Sequence, residues 1–189
     1  MTEQNDFLKE IPLDTVDLYN GAVVHLFRDT VRLPNGEEAK REYIRHIGAA
    51  AVLPITSEGD ALLVKQFRYP FGEVLLEIPA GKRNSFSEDP ILTAKRELEE
   101  ETGYTSEKLI SLGEYYPSPA ILDERISVYL ALDLKPGTRH PDEDEFLLPI
   151  SIPFGELLRM VESGEIRDGK TQMAVLKASR LLELEAKNT

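Results

Sequence analysis

Arg96-Glu97-Leu98-Glu99-Glu100-Glu101-Thr102-Gly103-Tyr104, RELEEETGY, holds four glutamates in nine residues. Read as a helix, it places Glu97, Glu100 and Glu101 on one face within a single turn. Like charges at three- and four-residue spacing cost a few tenths of a kcal/mol per pair, about 0.2–0.5. Something must offset that repulsion. One answer is a solvated acidic face; the other is a hard divalent cation, which prefers oxygen ligands and often bridges to substrate phosphates.

Upstream, KRNSFSEDP (82–90) is a loop of small and polar residues leading into this helix. Ser87 or Asp89 suits its N-cap, Pro90 its first turn, and Gly103 its stop. Ile91, Ala94, Leu98 and Thr102 mark the inward face. Before the loop, VLLEIPAG (74–81) reads as one short buried strand. AAAVLPI and ALLVKQFRY, joined by Ser57-Glu58-Gly59-Asp60, read as a hairpin. In the N-terminal part, GAVVHLF, DTVRL and REYIRHI read as strands, and Asn35-Gly36 between β-type runs predicts a turn. KLISLGEYY, RISVYLALDL and FLLPISI follow as strands, and FGELLRMVESG and Lys170 to about Ala186 as helices. Strands with irregularly interspersed helices predict an α+β or mixed sandwich. The expected organisation is an N-terminal β extension over 1–45 and a main domain over 46–189.

The 189 residues suffice for one domain with an extension. With 41% apolar and 30% charged residues, the chain belongs to the soluble globular class. The absence of cysteine excludes disulfides and thiolate metal sites. The start, MTEQNDFLKE, has no apolar run resembling a signal peptide, and no stretch is long enough to span a bilayer, so a cytoplasmic location is expected. A net charge of −12, from 34 acidic and 22 basic residues, disfavours nucleic acid and anionic membranes as partners. An anionic small substrate would need local arginines or bound cations. His25, His46 and His140 follow no ligand spacing.

GKRNSFSEDPILTAKRELEEETGY (81–104) resembles the Nudix box, the glycine-to-glycine motif of the Nudix hydrolases. Its pattern from Glu88 through Arg96-Glu97 and Glu100-Glu101 to Gly103-Tyr104 fits; counted from Gly81, the first glutamate falls one residue late, with Ser87 at the expected place. The loop 82–87 thus carries a one-residue insertion. The resemblance implies an α/β/α sandwich around a mixed sheet. It also implies hydrolysis of a nucleoside diphosphate linked to another group, with Mg2+ or Mn2+. Glu97 and Glu101 match the main metal-binding glutamates, Glu100 a further ligand, and the Ala80 carbonyl completes the site. Arg96 and Glu88 match positions that orient the helix and its carboxylates.

REYIRHIGAAAVLP, VKQFRYP, LLEIPAGK and YPSPA, with Pro119 sixteen residues past Gly103, resemble the ADP-ribose pyrophosphatase branch. That branch implies substrate contacts from arginines at Arg41 and Arg68, and an N-terminal element exchanged between two subunits of a homodimer. Tyr19 and Phe27 are candidates for stacking on adenine, or for core positions. A glutamate of the acidic loop PDEDEF is implied as the base that activates water, Glu145 first and Glu143 behind it. The alternatives are another nucleotide sugar such as GDP-mannose, a dinucleoside polyphosphate or an oxidised nucleotide, and a non-catalytic nucleotide-sensing domain. Such domains often lose box glutamates that this chain keeps.

Overall fold

The structure, a computed structural model, describes residues 6–141 and 145–187. After a 3-10 turn at Asp6–Leu8 the chain runs β1 (Ile11–Asn20), β2 (His25–Arg32), β3 (Glu38–Arg45), β4 (Ala49–Pro54), β5 (Asp60–Arg68), β6 (Glu73–Glu77) and β7 (Ala80–Lys82). Then follow α1 (Pro90–Thr102), β8 (Tyr104–Thr105), β9 (Lys108–Tyr115), β10 (Ile126–Leu132), β11 (Lys135–Pro136), β12 (Leu147–Pro153), α2 (Phe154–Glu162) and α3 (Gly169–Lys187). The chain divides into two units, one of residues 1–46 with 118–124, the other of 47–117 with 125–189.

The first unit is an antiparallel sheet in the order β1-β2-β3. The β2–β3 turn lies at Asn35-Gly36, with Gly36 at φ 89°, where glycine carries no steric penalty. Two expectations change here. GAVVHLF and DTVRL supply one continuous strand, β2, and a further strand, β1, precedes it. Pro12 and two register shifts, at Pro12/Asp14 and Asp17/Tyr19, break the alternation that would have marked β1 in the sequence. Residues 118–124 join this unit through Ile44, whose N–H donates to Ile121 O at 2.8 Å and whose carbonyl accepts from Asp123 N at 3.1 Å.

The second unit is a sandwich. Its central sheet has the order β7-β4-β10-β9, with β4 and β10 parallel and the other pairs antiparallel. β4 is buried along its whole length and splits its side chains by parity. Ala49, Ala51 and Leu53 pack with Leu157, Val175 and Ala178 of α2 and α3. Ala50 and Val52 pack with Ala94 and Leu98 of α1. That gives helix, sheet, helix: the α/β/α sandwich.

Two local readings are corrected. VLLEIPAG is not one strand: it breaks at Ile78-Pro79, and β6 and β7 lie in different sheets. Pro79 has no N–H for a ladder, and its carbonyl instead accepts from Val52 N at 2.9 Å. AAAVLPI and ALLVKQFRY are not a hairpin either; β5 pairs with β12 and β6, and only a single Ile55–Ala61 bridge links it to the end of β4. Both faces of β4 are apolar, so its partners come from the parallel β10 and from β7.

Candidate active site

α1 begins as its sequence dictates. Asp89 caps it by accepting from Ile91 N at 3.1 Å, Pro90 occupies the first turn, and Gly103 ends it at φ 76°. The face turned to the sheet buries Thr93, Ala94, Glu97, Leu98 and Glu101, so two carboxylates sit among apolar neighbours. Glu97 is 5% exposed and Glu101 3%.

Burial pushes the Glu97 carboxyl up to about 7, with further elevation from Glu100 and Glu145, against the pull of Arg96. Burial likewise lifts Glu101 to about 8, helped by repulsion from Glu97 and Glu145 and opposed by the Ala80 N–H and Lys170. Glu101 Oε2 is buried with no hydrogen-bond partner among the described residues. Arg96 answers part of the repulsion: its Nη1 lies 2.7 Å from Glu97 Oε1 and 2.8 Å from Glu100 Oε2, and its Nη2 donates to Lys82 O at 2.9 Å. Gly81 makes the close approach possible, since a Cβ there would overlap the Glu97 carboxylate.

Among the described residues, no three acidic or histidine side chains converge closely enough to ligate a cation as they stand. Arg96 holds Glu100, and the remaining carboxylates repel. The donor set nonetheless fits a divalent cation: hard carboxylate oxygens, one of them buried and unpartnered, in a site whose excess is negative.

In the inserted loop, Arg83 donates to the carbonyls of Phe86 and Glu88, both at 2.5 Å through Nη2, and the Glu88 carboxylate accepts from Asn84 N. Glu88 therefore closes the loop on itself. Glu145 lies near enough to raise both Glu97 and Glu101. Glu143 lies outside the described residues.

The other candidates fall into two groups. Arg68, 37% exposed at its side chain, forks onto Glu77, with Nε to Oε1 at 2.6 Å and Nη2 to Oε2 at 2.7 Å. Arg41, Tyr19, Phe27 and Pro119 belong to the first unit. There Arg41 forks onto Glu10, with Nε to Oε2 at 2.8 Å. Tyr19 is 60% exposed, whereas Phe27 stacks on Tyr43 with centroids 5.9 Å apart under the Arg45 guanidinium. Pro119 is exposed in a turn where Ile121 N donates to Ser118 O at 3.1 Å.

Sequence reasoning missed Glu77 and Lys170. The signal was there: a lone carboxylate inside an apolar run, VLLEIP, is affordable only with a buried partner. Glu77 is 2% exposed and Lys170 7%, and they pair directly. Lys170 also reaches Asp168 at 3.0 Å, while Thr171 Oγ1 accepts from Ile78 N at 2.9 Å. The start of α3 is thereby fastened to the residues that lead into Ala80 and Gly81. Burial alone would raise Glu77, but Arg68 and Lys170 hold it down at about 2.

A folded value below the ordinary 4.5 stabilises the protein above pH 4.5, and that contribution drains away as the pH falls toward about 2. It amounts to about 3 kcal/mol. The Tm gap between wild type and Glu77→Gln is thus expected to be widest near pH 7 and to shrink below pH 4.5. A gap of constant size from pH 7 to pH 3 would contradict this account.

Comparison with known proteins bears on the family and the fold. The NUDIX domain model matches residues 45–170. The chain is 44% identical to an ADP-ribose pyrophosphatase of Bacillus subtilis, covering 89% of this chain and 91% of that one. It is 43% identical to a methanol dehydrogenase activator of Bacillus methanolicus, over 88% and 91%. A solved structure described as an ADP compounds hydrolase superposes with a TM-score of 0.82 at 19% identity, covering 94% of this chain and 96% of that one, which is a likeness of fold. With two carboxylates of the RELEEETG helix buried against the sheet and two thirds of its length matched by the domain model, the chain belongs to the NUDIX family.

Proposed function

We propose that the protein hydrolyses the pyrophosphate bond of ADP-ribose, giving AMP and ribose 5-phosphate, with Mg2+ or Mn2+ as cofactor. The observation that carries this reading is the buried pair Glu97 and Glu101, repelling each other on a helix that also keeps Glu100 of the box. The relative named as an ADP-ribose pyrophosphatase supports the choice of substrate. Glu97, Glu101 and the Ala80 carbonyl would hold the cation, with Glu100 a further ligand once released by Arg96. When bound, the cation neutralises the diphosphate and stabilises the leaving phosphate.

The chain supplies the rest. Arg96 fixes the directions of Glu97 and Glu100. Glu145 takes the proton of the attacking water as its oxygen bonds to phosphorus and the bridging P–O bond breaks. Arg68 grips the diphosphate through a planar fork, exchanging Glu77 for phosphate oxygens, and Arg41 exchanges Glu10 in the same way in the pocket to which residues 1–45 contribute. Tyr19 and Phe27 stack on adenine. Pro119 stiffens the turn at the terminal ribose, since it fixes its own φ and restricts Ser118. A pocket fitted to that ribose disfavours bulkier hexoses. The kcat/KM for ADP-ribose is therefore expected to exceed those for ADP-glucose and GDP-mannose. A tenfold advantage for either hexose would assign the enzyme to another substrate.

The same reading makes the protein a cytoplasmic homodimer in which residues 1–45 contribute to the partner's substrate pocket. Among the described residues no helix is long and apolar enough to cross a membrane. All of β1 is exposed in the single chain, including Ile11, Leu13, Val16 and Leu18, an apolar set that a second subunit would cover. Light scattering on active enzyme is expected to give about twice the 21.3 kDa chain mass. A mass near that of one chain rules this out.

The relative named as a dehydrogenase activator supports a second reading, in which the protein acts on a partner enzyme. Glu101→Gln separates the two, since it lowers hydrolysis by about a hundredfold or more and leaves an effect that depends on binding alone.

A further inference from the structure

α1 ends badly by its own sequence. Glu99, Glu100 and Glu101 sit at the negative end of the helix dipole, and its last turn contains no basic residue. Its terminal carbonyls also lack partners within the helix. Both deficits are met by one remote segment, 137–140. Gly137 N donates to Gly103 O at 2.7 Å, His140 N to Glu100 O at 3.1 Å, and Arg139 Nε to Glu101 O at 2.9 Å. Thr138 N reaches Glu99 Oε1 at 3.4 Å. The approach uses two glycines: a Cβ on Gly103 would lie 3.2 Å from Arg139 Cβ, and one on Gly137 would lie 2.8 Å from Glu99 Oε1.

Arg139 does one thing more. Its Nη2 donates to Leu147 O at 2.9 Å, the first residue of β12 and two residues past Glu145. The Arg139 guanidinium thus ties the end of the carboxylate helix to the strand that follows Glu145.

We propose that Arg139 is a positioning residue that holds Glu145 in register with Glu97 and Glu101 by bridging the backbone carbonyls of Glu101 and Leu147. The inference rests on the reading of Glu145 as the base. Nothing in the site requires Arg139 to touch substrate; it acts through Glu145. A displacement of about 1 Å at a reacting group can cost up to a hundredfold in rate. A planar fork reaches two carbonyls at once, which an ammonium on a flexible stem does not reproduce.

The experiment is a double-mutant cycle on the full chain with ADP-ribose and saturating magnesium, with Tm measured beside it. Arg139→Ala is expected to lower kcat about tenfold with KM within about twofold of wild type. In a Glu145→Gln background the same change should lower kcat by less than about twofold, because the group it positions is gone. Arg139→Lys restores the cation at the helix end, so Tm should recover while kcat stays low. A full tenfold loss in the Glu145→Gln background overturns the proposal, as does recovery of kcat together with Tm in Arg139→Lys. Wild-type kcat in Glu145→Gln alone removes the base assignment itself, and with it the role of Arg139; a crippled Glu143→Gln in its place would name the other acid.

Discussion

Glu101→Gln is expected to lower kcat by about a hundredfold or more at saturating cation, with the fold intact. The two halves of this expectation have separate causes. Glu101 is 3% exposed, its Oε2 has no hydrogen-bond partner among the described residues, and burial with repulsion from Glu97 and Glu145 pushes it up to about 8. Such a carboxylate is an unfavourable charge until a cation shares it. The amide of Gln has the same shape and can still accept from the Ala80 N–H through its oxygen. It removes the charge that burial penalises, so the Tm of the cation-free variant should equal or exceed that of wild type. Activity behaves oppositely, because a neutral amide binds a hard divalent cation far more weakly than a carboxylate does. Cation titrations followed by Tm should show a gain for wild type and almost none for the variant. Turnover above a tenth of wild type at saturating cation would contradict the assignment of Glu101.

Much of the second unit is legible in the sequence, because strong local signals and tertiary packing agree there. Asp89, Pro90 and Gly103 set the ends of α1, and the structure uses all three. AAAVLP reads as a fully buried strand, and β4 is buried along its length. The sequence is weaker where pairing depends on distant partners. The Ser57–Asp60 turn looks like a hairpin loop, yet the apolar character of both faces of β4 sends it to β10 and β7 while β5 goes to β12 and β6. β1 is invisible to alternation because Pro12 and its bulges shift the register.

The site divides along the same line. Glu97, Glu100 and Glu101 are read directly from helical spacing, and the structure explains how Arg96 shares their charge. Spacing cannot show that Arg68 is held by Glu77, nine residues on and across a strand pair, or that Lys170 completes the pair from the far end of the chain. Arg139 is hidden for the same reason. Its partners are backbone carbonyls, and a carbonyl leaves no trace in residue identity.

The central claim is that these carboxylates act with a divalent cation to split ADP-ribose at its pyrophosphate bond. It is tested most directly on protein stripped with chelator, dialysed, and given ADP-ribose with and without magnesium or manganese, the products being identified by mass. Without a cation, the −12 net charge repels an anionic diphosphate, and Glu97 and Glu101 hold nothing that could stabilise the leaving phosphate. The account predicts no turnover in chelator, and AMP and ribose 5-phosphate in equal amounts once the cation is restored. Undiminished turnover in chelator would contradict it, and so would an enzyme that leaves ADP-ribose intact with both cations.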